Sequence, residues 1–250
     1  MRQIFTAFPY VEPRIDDRIA ELIRAHSELL ELRAGDVLKM PGELHHFYMV
    51  EEGVCGYFIG GAVFGRARIM SLLPPQRTVA DLSVSTGRRC NIETRVLTPV
   101  VRARICPASF FRQYIFSNPE LAERFYRQAV QKHESTVEGM VANFTLPPEV
   151  RLKILLKLLC ADTPARGQWH RVPYRLTAEV MGLVVNLTRS NVSRQLNTWR
   201  QEGLARKAGL DWELNAELFS DVYDWQSESP VPLDTVAAAV ASPVAPLPPI

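Results

Sequence analysis

The stretch from Leu176 to Arg206 constrains the fold more than any other part of the sequence, because it combines two helix start signals with a tight corner. Thr177 and Thr188 are residues of the type that caps helix N-termini, and Asn186 between them tolerates a left-handed backbone. Three apolar residues recur at helical spacing after the second cap: Val192, Leu196 and Trp199. We therefore predict a helix-turn-helix whose second helix covers Thr188–Gln201.

The outer face of the second predicted helix is polar. Its first two turns carry Arg189, Ser190, Asn191, Ser193 and Arg194. Arginine can bind guanine through two hydrogen bonds, asparagine can bind adenine, and serine can bind bases or phosphates. The residues that follow predict two strands joined by a turn, with Arg206 and Lys207 near the DNA backbone. The pattern predicts a winged helix-turn-helix that reads the major groove, with both helix starts, Thr177 and Thr188, in the DNA-binding surface.

Charge is distributed unevenly along the chain. The formal net charge is only +2 at pH 7, which does not indicate binding to polyanions by bulk charge. Residues 151–210, in contrast, contain eleven basic and three acidic residues, an excess of eight positive charges. A basic segment in a nearly neutral chain is typical of a surface that faces phosphates, although a solvated surface would have the same composition.

The first half of the chain changes from a helical to a β pattern and back. Residues 14–31 carry apolar side chains at helical spacing and predict one or two short helices. Residues 32–106 consist of short β-rich runs between Gly, Pro or charged turns, which is typical of an antiparallel sandwich or jelly roll. A short helix is predicted after Pro107. The fold class that follows is α+β, with an N-terminal antiparallel β-roll.

A long helix is predicted from the Asn118 cap to about Asn143, with Pro119 at its first position and Pro147-Pro148 after its end. A helix of about 25 residues is longer than the globular mean. Its apolar residues recur at spacings of three, four or seven, which favours a two-stranded dimer seam over packing within one domain. The predicted dimer interface comprises Leu121, Phe125, Ala129, Val137 and Met140.

Several classes of protein are disfavoured. The four cysteines lie far apart and form no CxxC pair, which argues against a zinc knuckle and a disulfide framework. We find no signal peptide and no apolar run of the ~18–20 residues that cross a membrane, so we expect a cytoplasmic protein. A cupin-like metal enzyme is a distant alternative, since the adjacent His45 and His46 would point to opposite faces of a strand. We predict neither catalytic residues nor a metal site.

Taken together, these motifs resemble those of the CRP/FNR family of bacterial transcription regulators, from about residue 15 to 222. The family motif of the first helix is matched by Thr177, Met181, Gly182, Val185 and Asn186. In the recognition helix, Ser190 replaces the frequent acidic base reader of the family. The resemblance implies a β-roll sensor domain (1–116), a dimerisation helix (117–146) and a winged helix-turn-helix (147–225). Composition alone separates a Pro/Ala-rich tail (226–250).

The resemblance also implies how such a chain works. It implies a homodimer on a near-palindromic operator in double-stranded DNA, with RNA polymerase as a further partner and no membrane. An effector bound in the β-roll would shift the dimer helices and thereby the presentation of Arg189–Arg194.

The effector motif departs from that of the members that bind cyclic nucleotides. Those members carry Gly-Glu-Leu followed by Arg-Ser or Arg-Thr, whereas this chain has Asp81 in place of the Glu and Cys90 after Arg88-Arg89. Cyclic nucleotide is therefore not the expected effector, and another small anion is favoured over it. The candidate effector site comprises Asp81, Arg88, Arg89, Cys90 and His133.

Two variants of the sensor stay open as alternatives. Haem would need axial ligands such as His133 or Cys90, and a thiol switch would use Cys90 beside its two arginines. An iron–sulfur cluster is not expected, because no cysteine precedes Cys55.

Overall fold

The computed structural model describes residues 4–5, 7–60 and 67–222 of the chain, and the predicted Pro/Ala-rich tail lies outside them. The first helix, α1, spans Asp17–Ala25. It begins where the Asp16 carboxylate accepts a hydrogen bond of 3.0 Å from the backbone N–H of Arg18. In the part of the chain that is described, no helix has both the length and the apolar character needed to cross a membrane.

The β-roll consists, in the described residues, of eight strands in two four-stranded antiparallel sheets. They are β1 (Glu28–Arg33), β2 (Val37–Lys39), β3 (His46–Glu52), β4 (Cys55–Gly60), β5 (Ala67–Leu73), β6 (Thr78–Val79), β7 (Glu93–Val96) and β8 (Val100–Pro107). One sheet has the order β1-β8-β3-β6 and the other β2-β7-β4-β5. Side chains from both sheets share one core, among them Phe47, Leu73 and Val101. The predicted α+β class with an antiparallel β-roll is confirmed.

Strand β1 corrects the prediction for residues 14–31. The helix ends at the His26 cap, and Leu29 and Leu30 lie in a strand that pairs with β8 opposite Arg104 and Ala103. The apolar residues beyond the helix alternate in burial because one face of β1 turns inward. The spacing of apolar residues in so short a run fits both a helix and a strand. Pairing with the edge of β8 makes this segment a strand.

Two short helical segments and one long helix follow in the chain. Helix α2 is short, Asp81–Thr86, and the helical segment predicted after Pro107 is a single π-helical turn, Phe111–Ile115. Helix α3 spans Pro119–Thr145, and Asn118 caps it as predicted by accepting hydrogen bonds from the backbone N–H groups of Glu120 and Leu121 at 3.0 and 3.3 Å.

The C-terminal domain is a small helical core closed by a three-stranded sheet. Its helices are α4 (Pro148–Cys160), α5 (Ala178–Val184) and α6 (Arg189–Gln201). Its strands β9 (Trp169–Arg171), β10 (Ala205–Ala208) and β11 (Asp211–Asn215) pair in the order β10-β11-β9, before a 3-10 turn at Ala216–Phe219. The apolar stripe predicted on α6 is buried: Val192, Leu196 and Trp199 are all 3% exposed or less.

The C-terminal domain packs against the β-roll of the same chain. The backbone N–H of Leu72 in β5 donates to the carbonyl of Tyr10 at 2.7 Å, which holds the N-terminal segment along this strand. Tyr10 donates through its hydroxyl to Asn143 Oδ1 at 3.4 Å, and Asn143 Nδ2 donates to the carbonyl of Val184 in α5 at 3.1 Å. Tyr10 and Leu72 share one core with Met181 of α5. The end of α3 therefore touches both domains.

Candidate nucleic-acid interface and sensor cavity

The helix-turn-helix is built from the local signals in its sequence. Thr177 Oγ1 accepts a hydrogen bond of 3.2 Å from the backbone N–H of Val180, and Thr188 Oγ1 accepts one of the same length from Asn191. Asn186 has φ 54°, the left-handed conformation predicted for the corner. At Gly182 an added Cβ would lie 2.6 Å from the carbonyl oxygen of Leu187, so the corner needs a residue without a side chain. Both caps and the corner are confirmed.

Helix α6 presents the predicted polar side chains on its open side. Arg189, Ser190 and Arg194 are exposed, whereas Asn191 and Ser193 are half-buried. Arg194 Nη2 donates to Asn191 Oδ1 at 2.6 Å, so one side chain orients the other. The exposed residue Asn197 continues this face, and sequence reasoning missed it. Its spacing of three from Arg194 is the signal that could have found it.

The wing orients its basic side chains by aromatic contacts. The guanidinium of Arg206 lies 4.0 Å from the ring centre of Trp169, and Lys207 Nζ lies 4.0 Å from that of Trp212. Arg206 also donates to Glu213 at 2.7 Å. Burial lowers the pKa of the Lys207 ammonium. Contacts of this kind restrict both side chains to the surface of the sheet.

Two further arginines, which the sequence interpretation did not select, lie at the base of the wing. Arg171 donates to the Asp211 carboxylate, and Arg175 donates to its other oxygen at 3.0 Å. Hydrogen bonds from Arg171 and then Arg175 lower the pKa of Asp211. The three side chains together carry one excess positive charge next to the wing.

All five candidate effector residues line one cavity between the β-roll and α3, with a volume of about 560 Å³. They are Asp81, Arg88, Arg89, Cys90 and His133. We call this space the sensor cavity. Residues 81–90 reach it from α2 and the loop after it, and His133 reaches it from the middle of α3.

A buried ion pair in the wall of the sensor cavity connects α3 to α2. Lys132 Nζ lies 2.7 Å from Asp81 Oδ1 and 2.9 Å from Oδ2, and it also donates to the carbonyl and hydroxyl oxygens of Thr78, both at 2.9 Å. The Lys132 and Asp81 side chains are only 5% and 3% exposed. Sequence reasoning missed Lys132. Its position on the inner face of α3, seven residues beyond the buried Phe125, was the available signal.

Two more charged residues of the cavity wall are buried. Lys39 Nζ donates to the carbonyls of Cys90 and Ile92, both at 3.1 Å. Glu12 is 2% exposed, and it lines the same cavity. Burial raises the pKa of Glu12 to about 7, against the opposing effects of the positive charge of Lys132 and the hydroxyl of Ser71. The sequence contained no motif that marked either charged residue.

The other histidines and cysteines lie outside the sensor cavity. Cys55, Cys106 and Cys160 are buried, and burial raises the pKa of their thiols to about 12, 11 and 12. Cys90 is the half-buried cysteine. His26 stacks on Tyr114 at 4.2 Å, away from the cavity. Within the described ranges, no cluster of three or more His, Cys, Asp or Glu could hold a metal ion.

The outer face of α3 corrects the predicted dimer interface. Leu121 and Phe125 are 9% and 6% exposed, and the Phe125 ring packs 4.9 Å from Phe111 of the same chain. A row of exposed, mostly apolar residues recurs instead at alternating spacings of four and three, as in a coiled-coil seam. They are Tyr126, Val130, His133, Val137, Met140 and Phe144. We call them the α3 seam, which keeps Val137 and Met140 of the prediction and leaves Ala129 half-buried beside it.

No protein-family model matches the sequence, and the curated proteins contain no match to it. Solved structures do resemble the chain. The structure of FixK2 from Bradyrhizobium japonicum has a TM-score of 0.68 at 14% identity and covers 79% of this chain and 98% of its own. The c-di-GMP responsive global regulator CLP of Xanthomonas campestris has a TM-score of 0.62 at 15% identity, with coverages of 80% and 99%. TTHA1359, a CRP/FNR-family transcriptional regulator from Thermus thermophilus, has a TM-score of 0.57 at 19% identity, with coverages of 76% and 95%.

The chain therefore has the fold of CRP/FNR-family transcription regulators. The likeness includes nearly the whole length of each of these structures.

Proposed function

We propose that this protein is a dimeric, sequence-specific DNA-binding transcription regulator, and that a small molecule in its β-roll controls operator binding. The observation that carries the proposal is the open face of α6. Exposed Arg189, Ser190 and Arg194 stand on a helix whose opposite face is buried in the C-terminal core. Such a helix fits the major groove, where arginine reads guanine and serine contacts bases or phosphates.

The wing supports the same docking. Arg206 and Lys207 stand on β10, directly after α6, and their stacking on Trp169 and Trp212 orients them before DNA arrives. Contacts from such residues to phosphates position the reader without adding sequence information.

A second copy of the chain would complete the regulator. The α3 seam is largely apolar and exposed, with Phe144 88% exposed at its end. Pairing of two α3 helices along this seam would bury it and relate the two α6 helices by a twofold axis. The operator is then near-palindromic, with half-sites about one helical turn, ~34 Å, apart. RNA polymerase is the further partner through which such a regulator would act.

Helix α3 provides a route from the sensor cavity to the reader. Lys132 and His133 line the cavity in the middle of α3, and Asn143 near its end donates to Val184 at the end of α5. A ligand that shifts α3 relative to the β-roll would therefore shift α5 and the α6 that follows it. A ligand changes operator affinity only as far as it binds the two arrangements with different affinity.

The test is selection of bound sites from random double-stranded DNA, followed by anisotropy titrations of the selected site. Loss of a bidentate base contact costs about 1–3 kcal/mol, so Arg194→Ala should weaken binding about 5- to 150-fold. The matched control is Arg112→Ala, which removes an exposed arginine far from α6 and should leave affinity unchanged. No enriched site, or equal affinities of both variants and wild type, would contradict the proposal.

A further inference from the structure

We propose that the sensor cavity takes an organic anion with an apolar body, and that Lys39, Arg88 and Arg89 bind its anionic group. The inference rests on the proposed function only for the role of the ligand as effector. The binding chemistry itself follows from the charges, burial and hydrogen bonds of the cavity wall.

The wall of the sensor cavity keeps a positive charge after its ion pair is counted. Lys132 and Asp81 neutralise each other across the cavity. Lys39, Arg88 and Arg89 have no carboxylate partner among the described residues, and Glu12 is the one other carboxylate among the described residues lining the cavity. Glu12, whose pKa burial raises to about 7, contributes at most one negative charge against these three cations. The wall therefore carries an excess of positive charge that no group of the described chain balances.

The burial of Lys39 indicates that part of this positive charge lies where water cannot compensate it. Lys39 is 2% exposed, and its ammonium group donates to two backbone carbonyls, those of Cys90 and Ile92. A buried ammonium without a counter-ion is costly, because low-dielectric surroundings disfavour an uncompensated charge. The same two hydrogen bonds hold the loop that carries Arg88 and Arg89. The wall that an anion would meet therefore has one buried and two exposed cations.

The rest of the cavity wall is mostly apolar. Side chains of Tyr57, Met70, Leu82, Ile92 and Val130 make most of the remaining wall apolar, and the volume of about 560 Å³ is that of a small-molecule site. An apolar or aromatic body would fill this part.

The hydrogen bonds that Asp81 already accepts argue against a ligand rich in hydroxyl groups. Both carboxylate oxygens accept from Lys132, and Oδ2 also accepts from the Thr78 hydroxyl at 2.9 Å. A carboxylate in this state has little remaining capacity to accept hydrogen bonds from a sugar. The cavity thus favours an anion with one charged end and one apolar end.

The test uses two dyes with the same aromatic skeleton, 8-anilinonaphthalene-1-sulfonate and neutral N-phenyl-1-naphthylamine, in fluorescence titrations of the full-length protein at pH 8. We expect saturable binding of the sulfonate at one site per subunit. Arg88→Gln/Arg89→Gln should weaken it about tenfold or more, since two charge-assisted contacts are lost. The same change should leave affinity for the neutral dye within about twofold, because only apolar contacts hold that dye.

The matched control is Arg33→Gln/Arg112→Gln, which removes two exposed arginines of the same domain away from the cavity. Since Arg88 and Arg89 are exposed, neither double variant should disturb folding. At pH 8, Glu12→Gln removes a negative charge from the wall and should tighten sulfonate binding severalfold. Absent saturable binding, equal affinities for the two dyes, or equal effects of the two arginine pairs would each overturn the inference.

Operator binding separates this inference from the proposed function. The Arg88→Gln/Arg89→Gln variant keeps α6 and the wing intact, so its affinity for selected DNA is measured in parallel without dye. DNA binding with no anion selectivity would overturn the ligand assignment alone. Anion selectivity without any DNA binding would overturn the proposed function and leave the ligand assignment standing.

Discussion

The ion pair between Lys132 and Asp81 predicts a large and selective loss of stability. Lys132→Met removes the ammonium group and keeps an apolar side chain of similar length. Asp81, 2% exposed, then loses its counter-ion inside the protein. Breaking a buried ion pair by removing one partner costs about 3–5 kcal/mol. The change also removes the two hydrogen bonds that the ammonium group donates to Thr78.

The expected loss for Lys132→Met is therefore about 3–5 kcal/mol at pH 7, measured as the free energy of unfolding in urea by circular dichroism. Asp81→Leu in the Lys132→Met background removes the stranded carboxylate and should restore part of the loss. The coupling energy of this cycle should exceed about 2 kcal/mol.

The control variant comes from the same helix. Arg127 forms an ion pair with Glu123, but both side chains are more than half exposed, at 57% and 58%. Arg127→Met should cost less than about 1 kcal/mol, since water screens an exposed pair. If Lys132→Met cost no more than Arg127→Met, the argument that burial makes the loss of one partner costly would be refuted.

Two further predictions concern the seam and the corner. Val137→Asp places a charge on the exposed α3 seam and should yield folded monomers in sedimentation, whereas Phe125→Asp, at a site 6% exposed, should lower the free energy of unfolding by about 3 kcal/mol or more. Folded dimers of Val137→Asp would contradict the proposal that two chains pair along the α3 seam. Gly182→Ala brings a Cβ within 2.6 Å of the Leu187 carbonyl and should destabilise the C-terminal domain by about 1–3 kcal/mol, with weaker operator binding. Unchanged stability in calorimetry would show that the corner can relax.

The helix-turn-helix was predictable from sequence because its signals act locally. A threonine cap at Thr177 or Thr188 bonds a backbone N–H only three residues further on, and Asn186 adopts its corner conformation by its own backbone preference. The stripe of Val192, Leu196 and Trp199 needs only the helical period to lie on one face. The general β-roll architecture followed in the same way from short runs and turns.

The sensor cavity and the α3 seam could not be predicted in the same way, because both depend on contacts between distant segments. Spacing shows which residues of α3 share a face, but it does not show which face is turned toward the β-roll. Only the packing of Phe125 on Phe111 shows that Phe125 faces inward. Lys132 and Asp81 are 51 residues apart, and Glu12 comes from a third segment. Their interaction depends on the fold, because burial leaves either charge uncompensated when its partner is removed. Neighbours in the chain are thus enough to specify the local geometry of the helix-turn-helix. The charges that face the cavity and the exposed side of α3, in contrast, follow only from how remote segments pack together.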